Sequence, residues 1–301
     1  MLQRRTDLAA EAVELWNESR SGVGELPGVV ARVNTRRGFD ISTVEITDIR
    51  GARALGKPIG TYVTVELDGF IQRENGAFSR AASALAAELK ALLRLENGVS
   101  VLVAGLGNRA VTADAVGPET VKNTMVTSHL LKNMPGDFPG FRPVYAVEPG
   151  VLGTTGIESA RIIEAVVRAV RPGRVVVVDA LASRRIARIC RTVQLSDTGI
   201  IPGSGVGNAR EGISRETLGV PVIAVGVPTV VDAGTLAADI AERAGVNDPA
   251  SAELEKLGGG LVVTPKDIDA CVGDISKLVG YALNMALHRG LGIDDIAMFL
   301  G

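Results

Sequence analysis

Val99-Ser100-Val101-Leu102-Val103-Ala104 is an apolar run interrupted only by Ser100 and bounded by Asn97-Gly98 and Gly105. A short β-branched run between turn-forming residues predicts a strand buried on both faces. The pattern recurs at residues 175–178, 220–227 and 261–263. Between these runs, helical periodicity covers residues 77–95, 118–131, 156–170 and 233–244. Strands alternating with helices predict βαβ units, and so an α/β fold whose mostly parallel or mixed central sheet carries helices on both faces. A last helix is punctuated by Thr264 as N-cap, Pro265 at its first position and Asp267 in its first turn. Its apolar stripe runs from Ile268 through Val272, Ile275, Leu278, Val279, Ala282 and Ala286 to about His288.

The first third reads differently. Tyr62, Thr64, Glu66 and Asp68 alternate with Val63, Val65 and Leu67, the period-2 signature of a half-exposed strand, and residues 42–48 behave similarly. A small antiparallel or mixed β appendage within residues 8–96 is expected to lead into a single α/β domain that extends to residue 301.

Composition excludes several classes. With 32 basic against 34 acidic side chains the net charge is −2, which gives no electrostatic reason to expect a nucleic-acid partner. Cys190 and Cys271 are the only cysteines, too few for a disulfide framework or a four-cysteine zinc site, so a reducing compartment is expected. The first 25 residues carry charges throughout, unlike a secretory signal. No apolar run approaches the roughly 20 residues needed to span a bilayer, so neither a membrane partner nor a membrane location is expected.

In open parallel sheets, reactive groups gather beyond the carboxyl ends of the strands. Two such ends here carry an aspartate. The first follows residues 99–104: Gly105-Leu106-Gly107-Asn108-Arg109-Ala110 leads through Asp114 to Pro118, which is expected to open the next helix. The second is Asp179, closing Val175-Val176-Val177-Val178. Each alone reads equally well as a cap or turn carboxylate. If the two meet, burial and mutual repulsion would keep one protonated, leaving one acid and one base, or both could hold a metal. Gly105 to Ala110 also fits a dinucleotide fingerprint, but 110–117 reads as loop and no acidic residue stands near the expected ribose position. His129 and His288 lack metal-ligand spacing, and no nucleophile-elbow serine motif occurs. Cys190, in the basic segment Arg184 to Arg191 with no histidine nearby, reads as a plain small buried residue, although its cationic neighbours could lower a thiol pKa. A second Gly-rich stretch, Pro202-Gly203-Ser204-Gly205-Val206-Gly207-Asn208, lacks the ending of a phosphate-binding loop and reads as a flexible loop near a site.

Taken in order, these segments resemble the germination protease (spore protease) family. The resemblance rests on Arg5-Thr6-Asp7-Leu8-Ala9, on the Gly105 to Asn108 and Asp114 to Pro118 segments, and on Pro149 to Gly153 with Thr155 to Glu158. It continues through Asp179 to Arg184, Asp197 to Ile200, Pro202 to Asn208 and Gly226 to Ala233. It implies a fold similar to that of hydrogenase maturation proteases, and an endopeptidase that degrades small acid-soluble spore proteins at germination in the cytoplasm of the spore core. It further implies a homotetramer and a zymogen that removes residues 1–7 by cutting Asp7–Leu8. The catalytic pair it implies is Asp114 and Asp179, with no cofactor; which is acid and which is base stays open. In the maturation proteases these two positions and a histidine bind a metal, and here only His288 follows Asp179. Cleavage after acidic residues calls for a cationic subsite, for which Arg184, Arg185 and Arg188 are the candidates. Backbone N–H groups around Gly105, Gly107 and Asn108 are the candidate oxyanion donors. The rival readings are a metal-dependent maturation-type peptidase of the same fold and a non-catalytic nucleotide-binding module.

Overall fold

A computed structural model describes residues 5–19, 26–134, 136–244 and 260–300. Of the expected leading segment, residues 1–4 therefore lie outside the described residues. The strands are β1 (Val29–Arg36), β2 (Phe39–Ile46), β3 (Gly60–Glu66), β4 (Val101–Gly105), β5 (Val144–Val147), β6 (Arg174–Ser183), β7 (Thr192–Ser196), β8 (Val222–Asp232) and β9 (Val262–Val263). The helices are α1 (Ala9–Ser19), α2 (Ile49–Leu55), α3 (Asp68–Ile71), α4 (Ala77–Leu93), α5 (Val116–Lys122), α6 (Ser128–Asn133), α7 (Leu152–Thr155) and α8 (Ser159–Val170). They continue with α9 (Arg215–Leu218), α10 (Ala233–Arg243), α11 (Ile268–Leu287) and α12 (Ile293–Leu300).

All described strands join one mixed sheet in the order β1-β2-β3-β7-β8-β6-β4-β5, with β9 paired to β8. The four strands β5, β4, β6 and β8 are mutually parallel, and β1, β2, β3 and β7 continue the sheet as an antiparallel wing. The alternation of residues along each strand sorts them onto two faces. Val101, Val103, Val176, Val178, Val193, Leu195, Val63 and Val65 pack beneath α4 and α11. Leu102, Ala104, Val175 and Val177 pack beneath α8. On the wing, that second face is covered by α1, whose Ala9 and Ala12 pack with Val44, Ile46 and Tyr62. Within α4, Ala81, Ala82, Ala84 and Ala86 are all buried, and such small side chains let the helix pack closely on its neighbours.

Several local expectations are corrected. β3 is buried on both sides rather than half-exposed, because α1 covers the face that carries Tyr62 and Thr64. The helix expected over 118–131 is two short helices, α5 and α6, the first beginning at Val116 so that Pro118 sits inside its first turn. Residues 261–263 supply an exposed two-residue edge strand, antiparallel to β8. α11 begins at Ile268, and the Thr264 hydroxyl donates instead to the Thr229 carbonyl at 2.9 Å. No described helix is long and apolar enough to cross a membrane.

α1 is fastened by charge. The buried Glu11 carboxylate accepts the backbone N–H groups of Arg184 at 2.6 Å and Arg185 at 3.0 Å. Arg184 pairs with Glu18 and Asp239, Arg185 with Glu14 and Glu18, and Arg188 with Glu14 and Glu66. Removing a partner from a buried charged network typically costs about 3–5 kcal/mol. Glu11→Ala is expected to lose stability on that scale in urea unfolding; a loss under about 1 kcal/mol would mean that the anchor is dispensable.

Candidate active site

Asp179 stands on the α8 side of β6, two residues beyond Val177. Its register partner on β8 is Gly226, and the partner of Gly226 on β7 is Gln194. Residues paired across neighbouring strands project from the same face, so Asp179 and Gln194 flank a position with no side chain. That gap is filled by Leu181, whose Cδ1 lies 2.2 Å from where a Cβ on Gly226 would stand.

Asp114 arrives from the β4–α5 connection. Gly105 and Gly117 let that connection cross tightly, since a Cβ on either would meet backbone at 2.2–2.4 Å. Gly107 adopts φ +114°, and a Cβ there would fall 1.9 Å from the Asp114 carbonyl oxygen. Thr229 donates to the Ala113 carbonyl at 2.6 Å, and the Asn108 N–H donates to Asp114 Oδ2 at 2.8 Å. The glycines of the apparent dinucleotide fingerprint thus serve close packing and the turn that sets Asp114. The Asn108 N–H, an expected oxyanion donor, holds Asp114 instead, and Gly105 is a packing residue.

The two carboxylates and Asp7 line one cavity of about 440 Å³, together with Leu152, Val206 and Arg210. Burial pushes Asp179 well above the usual carboxylate range, and the charges of Asp114 and then Asp7 push it further; one N–H, from Ala180, opposes them. Burial also raises Asp114, against the Asn108 N–H. Burial and neighbouring charge raise Asp179 further than burial raises Asp114, so the two carboxyls are inequivalent in the sense that separates an acid from a base.

Asp7 is fitted into this site at every polar atom. Its N–H donates to the Ala182 carbonyl at 2.9 Å, and its Oδ2 accepts the Ala182 N–H at 2.9 Å. Its Oδ1 accepts the Ser204 hydroxyl at 2.7 Å. Gly205 leaves room for this carboxylate, since a Cβ there would meet Oδ2 at 2.1 Å. The Asp7 carbonyl faces a neighbouring cavity of about 670 Å³ lined by Lys57, Tyr62 and Gln194. It accepts Lys57 Nζ at 2.8 Å and Gln194 Nε2 at 3.1 Å. Burial lowers the Lys57 pKa, while the charges of Asp7 and Glu11 act to raise it. Leu8, the next residue, is fully buried, and the helix it precedes is capped by Thr6 through the Leu8 N–H rather than by Asp7.

The other expected residues lie elsewhere. Arg184, Arg185 and Arg188 bind the acidic side of α1, and neither cavity includes them among its lining residues. Among the described residues, the cation that lines the aspartate cavity is Arg210. Cys190 is a buried small residue as expected, and burial, with Cys271 and Asp267 beside it, pushes its thiol up to about 12. His288 sits at the opposite end of the sheet, where its Nδ1 accepts the N–H of Arg142, whose guanidinium in turn reaches the carbonyls of Glu96 and Val99. It cannot join Asp114 and Asp179 as a third ligand. The stretch read as a flexible loop, residues 202–208, forms a wall of the aspartate cavity. Ser204 fell within a stretch read only as a loop near a site, and Lys57, Gln194 and Arg210 were not singled out in the sequence. Only for Gln194 is there a signal, its polar place between Val193 and Leu195 on a buried strand.

The fold thus brings two inequivalent aspartates into one cavity at the carboxyl end of the parallel strands, Asp179 buried on β6 and Asp114 half-buried in the β4–α5 connection, an arrangement suited to acid–base chemistry. The sequence profile of germination proteases matches residues 8–243, and the chain belongs to that family of peptidases. It is 45% identical to the germination protease of Caldanaerobacter subterraneus subsp. tengcongensis, with 95% of each chain covered. It is 40% identical to that of Clostridium perfringens over the whole of both chains. Among solved structures it is similar to the [NiFe] hydrogenase maturation protease HycI of Thermococcus kodakarensis KOD1, at 16% identity and a TM-score of 0.35, covering 65% of this chain and 98% of that one.

Proposed function

We propose that the chain is a self-processing endopeptidase that cuts its own Asp7–Leu8 bond and then small acid-soluble spore proteins at bonds between an acidic and an apolar residue. The observation that carries this reading is the seating of Asp7 beside Asp114 and Asp179 in one cavity, with its carboxylate bound by the Ala182 N–H and the Ser204 hydroxyl. A carboxylate of a substrate would take the same two donors, so acid recognition needs no arginine in direct contact.

In the proposed reaction, Asp114 as carboxylate takes a proton from water as its oxygen bonds to the Asp7 carbonyl carbon. Asp179 gives its proton to the Leu8 nitrogen as the C–N bond breaks. The immediate products are an α-carboxylic acid on Asp7 and a Leu8 amine; the acid's proton passes to the amine, giving carboxylate and ammonium, and the proton on Asp114 returns to Asp179 to reset the pair. Because α1 is anchored by its glutamates, the cut frees the leading segment from a helix that stays in place.

The test is incubation of the purified chain alone and with a small acid-soluble spore protein, with N-terminal sequencing of every product. New termini at Leu8 and at acidic–apolar junctions of the substrate are expected. A chain that stays intact and cuts neither would sink the proposal.

A further inference from the structure

We infer that Lys57 and Gln194 are the oxyanion donors for cleavage of the Asp7–Leu8 bond. The inference rests on the self-processing reading above and assigns a part of the reaction that neither aspartate can supply. As water adds to the Asp7 carbonyl carbon, the C=O electron pair moves onto the carbonyl oxygen. That oxygen needs donors already in place, because donors that must reorganise recover little of the stabilisation.

Two donors already meet it. Lys57 Nζ lies 2.8 Å and Gln194 Nε2 lies 3.1 Å from the Asp7 carbonyl oxygen. Each is held from behind. The Gln194 carbonyl oxygen Oε1 accepts the Ala9 N–H at 2.7 Å, which fixes the amide so that its NH₂ faces Asp7. That bond also grips the chain on the far side of the scissile bond, so one side chain spans both halves of the peptide to be cut. Lys57 follows the α2 terminus, and its own N–H donates to the Ala52 carbonyl at 3.2 Å. Its ammonium is partly desolvated against the Asp7 and Glu11 carboxylates.

The sheet places the donors relative to the acid. Gln194 and Asp179 are both in register with Gly226 and share one face of the sheet. Gln194 therefore stands across Gly226 from Asp179, one strand pair away on the same face. Of the candidate loop amides, the Asn108 N–H is committed to Asp114. When the tetrahedral oxygen collapses back to C=O and the Leu8 nitrogen leaves with the proton from Asp179, the two donors keep their hydrogens. They stabilise charge without entering the proton balance.

The alternative is a clamp that merely holds residues 5–7 in place. The rate of self-cleavage separates the two. The full chain is produced as wild type, Lys57→Met, Lys57→Arg and Gln194→Met, under conditions that suppress processing, then shifted to permissive pH. Appearance of the Leu8 terminus is followed by mass spectrometry, and each variant's thermal unfolding is recorded beside it. Loss of one oxyanion donor costs about 10²–10³-fold in rate. Lys57→Met and Gln194→Met are expected to slow cleavage on that scale, and Lys57→Arg to retain most of the rate because it keeps a cationic donor. A melting temperature near wild type marks the loss as chemical; if Lys57→Met does not fold, Gln194→Met and Lys57→Arg carry the same comparison. Cleavage by the Met variants at the wild-type rate or faster would show a clamp and overturn the inference. A wild-type chain that never cuts Asp7–Leu8 would remove the self-processing reading and the inference together, an outcome recognisable because no variant comparison is then needed.

Discussion

Asp114→Asn and Asp179→Asn are each expected to slow self-cleavage by about 10²–10⁴-fold, the usual worth of one general acid or base. Their consequences for stability should differ, and that difference assigns the roles. Burial and the neighbouring charges of Asp114 and Asp7 raise the Asp179 pKa in the folded chain. Between the unfolded carboxyl value, about 3.9, and that raised value, the folded chain holds a proton that the unfolded chain has released. Stability therefore falls as pH rises through this window. Asparagine keeps the shape and removes the charge, so Asp179→Asn should melt higher than wild type at neutral pH, with the gain gone near pH 4. Thermal melts at pH 4, 5.5 and 7 make the comparison. A wild-type chain more stable than Asp179→Asn at pH 7 would mean that Asp179 is a stabilised carboxylate, and the acid role would pass to Asp114. The same shift sets the direction of the rate profile: cleavage should fall as pH rises through the apparent upper pKa of the pair.

The second large effect is expected at Gly107. Its φ of +114° is strained for any residue with a side chain, and an added Cβ would overlap the Asp114 carbonyl oxygen. Strained backbone and overpacking each cost about 1–3 kcal/mol. Gly107→Ala should therefore lose about 2–6 kcal/mol and, by displacing Asp114, slow cleavage by about 10²-fold, the cost of roughly an ångström of misplacement. Gly98→Ala is the control, since Gly98 also has positive φ, +76°, but nothing lies within 4 Å of its added Cβ. It should lose only about 1–2 kcal/mol and keep its rate. Equal behaviour of the two variants, read by urea unfolding and by release of the Leu8 terminus, would contradict the role given to Gly107.

Asp114 and Asp179 stood out in the sequence as candidates because the first lies in the connection leaving a buried strand and the second closes one, and the end of a parallel strand is a place that local pattern predicts. The α/β architecture, the long helices α4, α8 and α11, and the family resemblance carried by contiguous motifs were legible for the same reason: each depends on neighbours within a dozen residues. What failed was also consistent. Arg184, Arg185 and Arg188 read as a cationic subsite because their partners, the glutamates of α1, lie more than 160 residues away in the chain. β3 read as half-exposed because nothing in residues 60–66 tells that α1 returns to cover it.

Lys57 shows the limit most clearly. Gly56-Lys57-Pro58 has only the look of a turn, and the lysine acquires its position because α2 packs beneath α1 and brings Nζ to a carbonyl 50 residues earlier. Strand periodicity, turn chemistry and the two aspartates were determined by the sequence locally, through side-chain alternation and backbone preference. The meeting of Asp7, Asp114, Asp179, Ser204, Lys57 and Gln194 was decided only by the tertiary structure. Hydrogen bonds and shifted pKa values depend on distances of a few ångströms between groups that the chain brings together from six separate segments.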